Sequence, residues 1–217
     1  MYILDWIMVP IQIIIFLFTV YYFLIGVNGL WRKKEKKILT PQKTFAVIVA
    51  AHNESAVIGQ LVDNLKMLDY PKELYDIFVI ADNCTDNTAQ IARDCGAIVH
   101  ERFNDKERGK GFAMEWMFAR LFEMKRKYDA VAIFDADNLV DKRFLLEMNN
   151  RLCKGDKLVQ GYLDAKNPYD TWVSGTFAIA FWVIDHIWHL AKTNIGLSSV
   201  LGGTGMCITT DVLKKHG

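Results

Sequence analysis

Four short apolar runs lie between residues 44 and 137, and each stops abruptly at polar or charged residues. They read "TFAVIVAA" (44–51), "DIFVIAD" (76–82), "AIVHE" (97–101) and "AVAIFDAD" (130–137). Runs this short, continuous and β-branched suit strands buried on both faces. Between them lie stretches with helical spacing. In "ESAVIGQLVDNLKML" (54–68), Val57, Ile58, Leu61, Leu65 and Leu68 form one stripe. "TDNTAQIARDCG" (85–96) opens on a capping Thr/Asp pair and closes on glycine, and Asn53 is a second candidate cap. "GFAMEWMFARLFEMKRK" (111–127) and "DKRFLLEMNNRLC" (141–153) are further helices, and "KLVQGYL" (157–163) is a fifth strand. Strands alternating with helices imply an α/β layer with right-handed crossovers and a mostly parallel sheet.

Parallel sheets of this kind bind ligands beyond the carboxyl ends of their strands. His52, Asn53 and Glu54 follow the first run, and Asp82, Asn83 and Asp86 follow or end the second. "RFNDKERGKG" (102–111) follows the third, and Asp135, Asp137 and Asn138 close the fourth. All fall on one rim. On an extended backbone Asp135 and Asp137 point to one side. Paired hard carboxylates suit Mg²⁺ or Mn²⁺, which keeps waters and takes further ligands from phosphates. A diphosphate supplies the charge that completes such a site, and Lys110 in the "RGKG" turn is placed to add a cation.

Trp6 to Trp31 contains no charged residue, which is long enough to cross a bilayer at about 20 residues. Aromatic residues near both ends suit the membrane interfaces. A cleaved signal peptide fits less well, because residues 1–6 carry only an acidic charge and no small-x-small site precedes "RKKEKK" (32–37). That basic cluster places the C-terminal side in the cytoplasm and suits anionic headgroups. The organisation expected is a transmembrane anchor at 1–31, a basic juxtamembrane linker at 32–43 and a catalytic domain at 44–217. The 26 Lys+Arg against 25 Asp+Glu give no pull toward nucleic acid. The four cysteines show no metal or C-x-x-C spacing and read as reduced packing thiols. "TWVSGTFAIAFWVIDHIWHLAK" (171–192) is one long helix, read first as a core helix and second as an interfacial one. His186 and His189 beside Asp185 read as ordinary packing or surface residues rather than metal ligands.

The segments "VIVAAHNES", "IADNCTDNTAQIA", "RGKGFAMEW", "IFDADNLVD" and "LGGTGM" resemble, in order and spacing, the family 2 glycosyltransferases with the GT-A fold. The likeness runs from about Ala46 to Met206 and is closest to membrane-anchored, processive-synthase-like members. The resemblance implies transfer of a sugar from a nucleotide-diphosphate sugar, UDP-linked by preference, to a lipid-linked or polysaccharide acceptor, with inversion. It implies that Ala51, His52, Asn53 and Glu54 line the nucleotide pocket and that Asp82 contacts the nucleoside. Lys110 approaches the diphosphate, Asp135 faces ribose and phosphates, and Asp137 is the main metal ligand. Gly202, Gly203, Thr204, Gly205 and Met206 form a loop on the acceptor side.

Ala81 and Ala50 depart from the family's usual Asp and Pro. The family's acidic general base and its Q-x-x-R-W motif belong beyond the glycine-rich loop, and the sequence stops at Gly217 before either. Two alternatives to a C-terminally incomplete enzyme follow. One is a membrane-anchored nucleotide-sugar binder without catalysis. The other is a phosphatase of the HAD type with Asp135 as nucleophile, although "FDADNLV" follows the fourth strand rather than the first.

Overall fold

A computed structural model describes residues 3–31 and 38–216. The basic cluster at 32–37 lies outside the described residues. The chain divides into two compact units, one built of residues 36–161 and 201–217, the other of residues 1–35 and 162–200.

The larger unit holds a six-stranded sheet. Its strands are β1 (Phe45–Ala51), β2 (Tyr75–Asp82), β3 (Ile98–Arg102), β4 (Ala130–Asp135), β5 (Leu158–Gln160) and β6 (Met206–Thr209). The order is β3-β2-β1-β4-β6-β5. The first four are parallel, whereas β6 runs antiparallel to β4 and to β5. Strand β1 is buried along nearly its whole length because helices cover both faces. Phe45, Val47, Val49 and Ala51 face a core filled by Ile58, Leu61, Val62 and Leu65 of α2 (Ile58–Lys66) and by Leu145, Met148 and Leu152 of α5 (Phe144–Cys153). Ala92 of α3 (Thr88–Asp94) joins them. Ala46 and Ile48 face a second core with Ala113, Met114, Met117 and Leu121 of α4 (Lys110–Glu123). Leu213, from the C-terminal helix Thr210–His216, completes that layer. Period-two alternation thus feeds both cores at once.

The sheet is mixed at one edge, where β6 was not legible in sequence. Met206–Thr209 is four residues long and follows a glycine run, too short for a period to show. Strand β5 is shorter than the expected 157–163, because the Gly161 amide turns to the Gly205 carbonyl at 2.7 Å. Strand β4 ends at Asp135 rather than at residue 137. The Asp135 amide lies 3.2 Å from Asn138 Oδ1 and 3.0 Å from Thr204 Oγ1, and the Asn138 amide returns to the Asp135 carbonyl at 3.2 Å. A turn therefore separates the two aspartates, and the extended-strand argument that put them on one side does not hold. Helices α2 and α3 also start later than expected, after Val57 and Asn87, so Asn53 and Thr85 are not their caps.

The smaller unit contains α1 (Ile3–Val27), followed by a 3₁₀ turn at Asn28–Leu30. Trp6–Leu30 is long and apolar enough to cross a membrane, and its most apolar part is exposed, while Ile25, Gly26 and Gly29 near its end are buried. The single helix expected at 171–192 is three pieces: α6 (Trp172–Val183), a π-helical stretch Ile184–Leu190, and α7 (Ala191–Asn194). Thr171 and Ser174 form a reciprocal capping box at its start. The core-helix reading fails, since only Ala178 of α6 is buried while Trp172 and Phe177 are largely exposed. The π-helical stretch packs against the end of α1. A Cβ on Gly29 would sit 1.9 Å from the His186 carbonyl oxygen, so no larger residue fits there. Asn194 Nδ2 donates to the carbonyls of Asn28 and Trp31, at 2.8 and 2.7 Å, satisfying the open end of the helix. His186 Nδ1 lies 3.1 Å from the Trp182 carbonyl, and Asp185, buried, accepts from the Leu163 amide at 3.0 Å. Both take structural partners.

Candidate functional site

The strand order places a topological switch between β1 and β4, where crevices form in sheets of this type. Ala50 on β1 is in register with Asp135 on β4. On the other side of β1, Ala51 pairs with Ala81, and Asp82 pairs with Arg102 of β3. The loops that follow β1, β2, β3 and β4 therefore open on one edge of the sheet.

At its centre Lys110, the first residue of α4, pairs its ammonium with Asp135 Oδ1 and donates to the Gly203 carbonyl at 2.7 Å. The cation expected beside the aspartates is supplied by the chain itself. Asp137 is exposed in the turn, where Asn138 Nδ2 donates to its Oδ1 at 3.3 Å. Among the described residues no three His, Cys, Asp or Glu side chains converge to cage a metal ion. A two-carboxylate set of hard oxygens fits Mg²⁺ or Mn²⁺ that fills its remaining positions with water and phosphate. Asp137 is open to such an ion, while Asp135 shares its carboxylate with Lys110.

The glycine-rich loop is fastened over this pair. Thr204 Oγ1 bonds Asn138 Oδ1 and lies 3.0 Å from the Asp135 amide. The Gly205 amide donates to the Ile133 carbonyl at 2.8 Å. Gly203 and Gly205 have φ of 81° and 60°, conformations that glycine adopts without strain.

The nucleoside end is built from the loops after β1, β2 and β3. Ala51 points its methyl into the core and offers only its carbonyl to this region. His52 Nδ1 lies 2.7 Å from the Asp82 carbonyl, which accepts only, so Nδ1 carries the proton. Asn53 adopts a left-handed φ of 55° and accepts from the Thr85 amide at 2.8 Å. The Glu54 amide donates to Thr88 Oγ1 at 2.8 Å. Asp86 accepts from the Ser55 amide at 3.2 Å and from the Thr88 amide at 3.0 Å. The Thr88 hydroxyl, above all, holds the Asp86 carboxyl well below the usual carboxylate range. A depressed folded pKa stabilises above the unfolded value of about 3.9 and is lost as pH falls through the folded one. We expect the melting temperature to drop between pH 5 and pH 3, and to drop less in Asp86→Asn. Equal drops in both proteins would show that Asp86 does not fasten the loop.

Asp82 is 6% exposed, and its Oδ1 is held by Arg102 Nη1 at 2.7 Å. Arg102 is 3% exposed, and its Nη2 donates to the Glu107 carbonyl at 2.8 Å. Asp82 thus reaches the rim as half of a buried ion pair. In sequence Arg102 stood on the rim only as the first residue of "RFNDKERGKG" and had no role, whereas in the fold it is the last residue of β3. Sequence reading passed over Gln160, whose side chain grips the glycine-rich loop.

A mixed α/β sheet with its polar rim at this switch point is the architecture of a GT-A nucleotide-sugar domain. The family described as "Glycosyltransferase like family 2" matches residues 41–217, and the chain belongs to it. The match replaces the phosphatase reading. The beta-monoglucosyldiacylglycerol synthase of Nostoc sp. is 32% identical over 195 residues, 86% of this chain and 40% of that protein. The chain thus spans well under half the length of that relative. Among solved structures, a mannosyltransferase from Pyrobaculum calidifontis superposes with a TM-score of 0.67 at 20% identity, covering 92% of this chain and 54% of that one. Glucosyl-3-phosphoglycerate synthase of Mycobacterium tuberculosis gives 0.53 at 19% identity, covering 84% and 63%. Both likenesses speak to the fold.

Proposed function

We propose that the larger unit binds a nucleotide-diphosphate sugar, UDP-linked by preference, with Mg²⁺ or Mn²⁺, and transfers the sugar with inversion to a lipid-linked or polysaccharide acceptor at the cytoplasmic membrane face. The observation that carries this reading is the Lys110 ammonium set between Asp135 and the Gly203 carbonyl, with Asp137 open beside it. A diphosphate entering this rim meets a cation already in place. Asp137, with Asp135, would hold the metal, which when bound neutralises the diphosphate as it leaves. Lys110 exchanges its carboxylate partner for phosphate oxygens. Asp82, fixed by Arg102, and the loops at His52–Glu54 orient the nucleoside. The Gly202–Met206 loop borders the sugar.

The solved mannosyltransferase contains GDP-Man and Mn²⁺, and the mycobacterial synthase contains Mn²⁺ and UDP, so donors of this class suit the fold. The Nostoc relative's name specifies a lipid product. Together with the exposed apolar helix α1, that name supports an acceptor at a membrane and the division into anchor, linker and catalytic domain at 1–31, 32–43 and 44–217.

Calorimetry with Mn²⁺ and UDP on the full chain in detergent tests the donor site. Wild-type protein is expected to bind UDP only when the metal is present. Lys110→Met is expected to weaken UDP about tenfold, the scale of one charge-assisted hydrogen bond to phosphate. Its affinity for Mn²⁺ alone is expected to hold or rise, because Asp135 is released. Metal-independent UDP binding, or a fall in Mn²⁺ affinity in Lys110→Met, would overturn these assignments.

A further inference from the structure

Of the side chains that hold the glycine-rich loop, Gln160 makes the most hydrogen bonds to it. Gln160, the last residue of β5, accepts from the Gly202 amide at 2.7 Å through Oε1. Its Nε2 lies 2.9 Å from the Thr204 carbonyl, 3.3 Å from the Gly205 carbonyl and 3.1 Å from the Gly161 carbonyl. An amide offers one acceptor and one donor group, and both serve this loop. Neither a carboxylate nor a shorter amide reproduces the set. The backbone reinforces the contact, since the Gly161 amide donates to the Gly205 carbonyl at 2.7 Å.

What the loop carries gives this grip its meaning. Gly203 presents the carbonyl that receives Lys110 at 2.7 Å, and Thr204 presents the hydroxyl over the Asp135 amide at 3.0 Å. Gly202, Thr204 and Gly205, the residues that Gln160 holds, bracket and include those two. The loop's glycines leave it few side-chain contacts of its own, and two of them sit at positive φ. Its height over Lys110 and Asp135 is therefore set from outside.

We propose that Gln160 is a positioning residue that fixes the Gly202–Gly205 loop and, through the Gly203 carbonyl, aims the Lys110 ammonium at the donor's diphosphate. This rests on the donor-site reading above. The Gln160 side chain bonds Gly161, Gly202, Thr204 and Gly205, not Lys110 or Asp135, and so acts through the loop.

The test uses the full chain in detergent, with Mn²⁺ and UDP as probes. In Gln160→Ala the Gly202 amide is expected to exchange hydrogen at least about tenfold faster, and UDP to bind about tenfold more weakly. That is the lower end of the usual loss for supporting partners of a metal site. Gln160→Glu keeps the acceptor for the Gly202 amide but loses donation to Thr204 and Gly205. It should preserve Gly202 protection yet still weaken UDP. In a Lys110→Met background the effect of Gln160→Ala on UDP affinity is expected to shrink below about twofold, because residues acting as one unit are not additive. A merely structural role would move melting temperature and leave this coupling at zero. The donor-site reading itself fails if wild-type protein does not bind UDP with Mn²⁺. The inference about Gln160 fails if wild type binds and Gln160→Ala binds equally well. It also fails if the two substitutions are additive, or if Gly202 exchange is unchanged in Gln160→Ala.

Discussion

Asp137→Ala is expected to remove most of the metal-dependent stabilisation of the chain by UDP. Asp137 is the exposed carboxylate of the pair, whereas Asp135 already answers to Lys110. Removing Asp137 leaves Mn²⁺ one shared carboxylate, and an ion of this hardness competes poorly with water on so few protein oxygens. A loss of on the order of 100-fold in Mn²⁺–UDP affinity follows, at the top of the range usual for residues that only support a ligand. At a ligand concentration 100 times the wild-type Kd, binding stabilises by about 2.7 kcal/mol, and a 100-fold weaker variant keeps about 0.4 kcal/mol. A thermal melt with and without Mn²⁺–UDP reads this difference directly. Excess chelator should erase the wild-type shift. A shift that persists with chelator, or is undiminished in Asp137→Ala, would remove the metal from the donor site.

The second large effect is expected at Arg102, in the opposite currency of fold rather than ligand. Arg102→Ala should destabilise the larger unit by about 3–5 kcal/mol, the usual consequence of stranding a buried charge. Asp82 and Arg102 are 6% and 3% exposed and meet at 2.7 Å, so Asp82 then has neither water nor cation. Against a typical total of about 5–15 kcal/mol, that is a large share. The pair Asp82→Leu with Arg102→Met removes both charges together and should recover most of the stability, since buried ion pairs are replaceable by packed apolar groups. It should not recover UDP binding if Asp82 meets the nucleoside. Urea unfolding of the three proteins separates these outcomes. A double variant as unstable as Arg102→Ala would mean that packing, not charge, is what Arg102 supplies.

Strand and helix order, the two-faced burial of β1 and the membership of the polar rim were legible, because each is written in local periodicity or in the residue that ends an apolar run. The pairing within the rim was not. Lys110 and Asp135 are 25 residues apart, and Asp82 and Arg102 are 20 apart. Only the strand order β3-β2-β1-β4 brings each pair to one edge. The same holds for Asn53, which in sequence looks like a helix cap and in the fold takes a left-handed turn to receive Thr85. Residues 171–192 misled for a different reason. Their apolar composition is equally suited to a core or to an apolar medium, and composition carries no record of which neighbour covers a face.

By itself the sequence determined the α/β alternation, the apolar helix at the N-terminus and the chemistry available at the rim, since hydrophobic period and residue type are local properties. Tertiary structure decided how that chemistry is arranged. It added an antiparallel strand of four residues between β4 and β5 and ended β4 at Asp135, leaving a turn between the two aspartates. It also hung the glycine-rich loop on Gln160, 44 residues before Thr204. Those choices depend on hydrogen bonds between segments distant in the chain, where each donor finds its acceptor only once the sheet has formed.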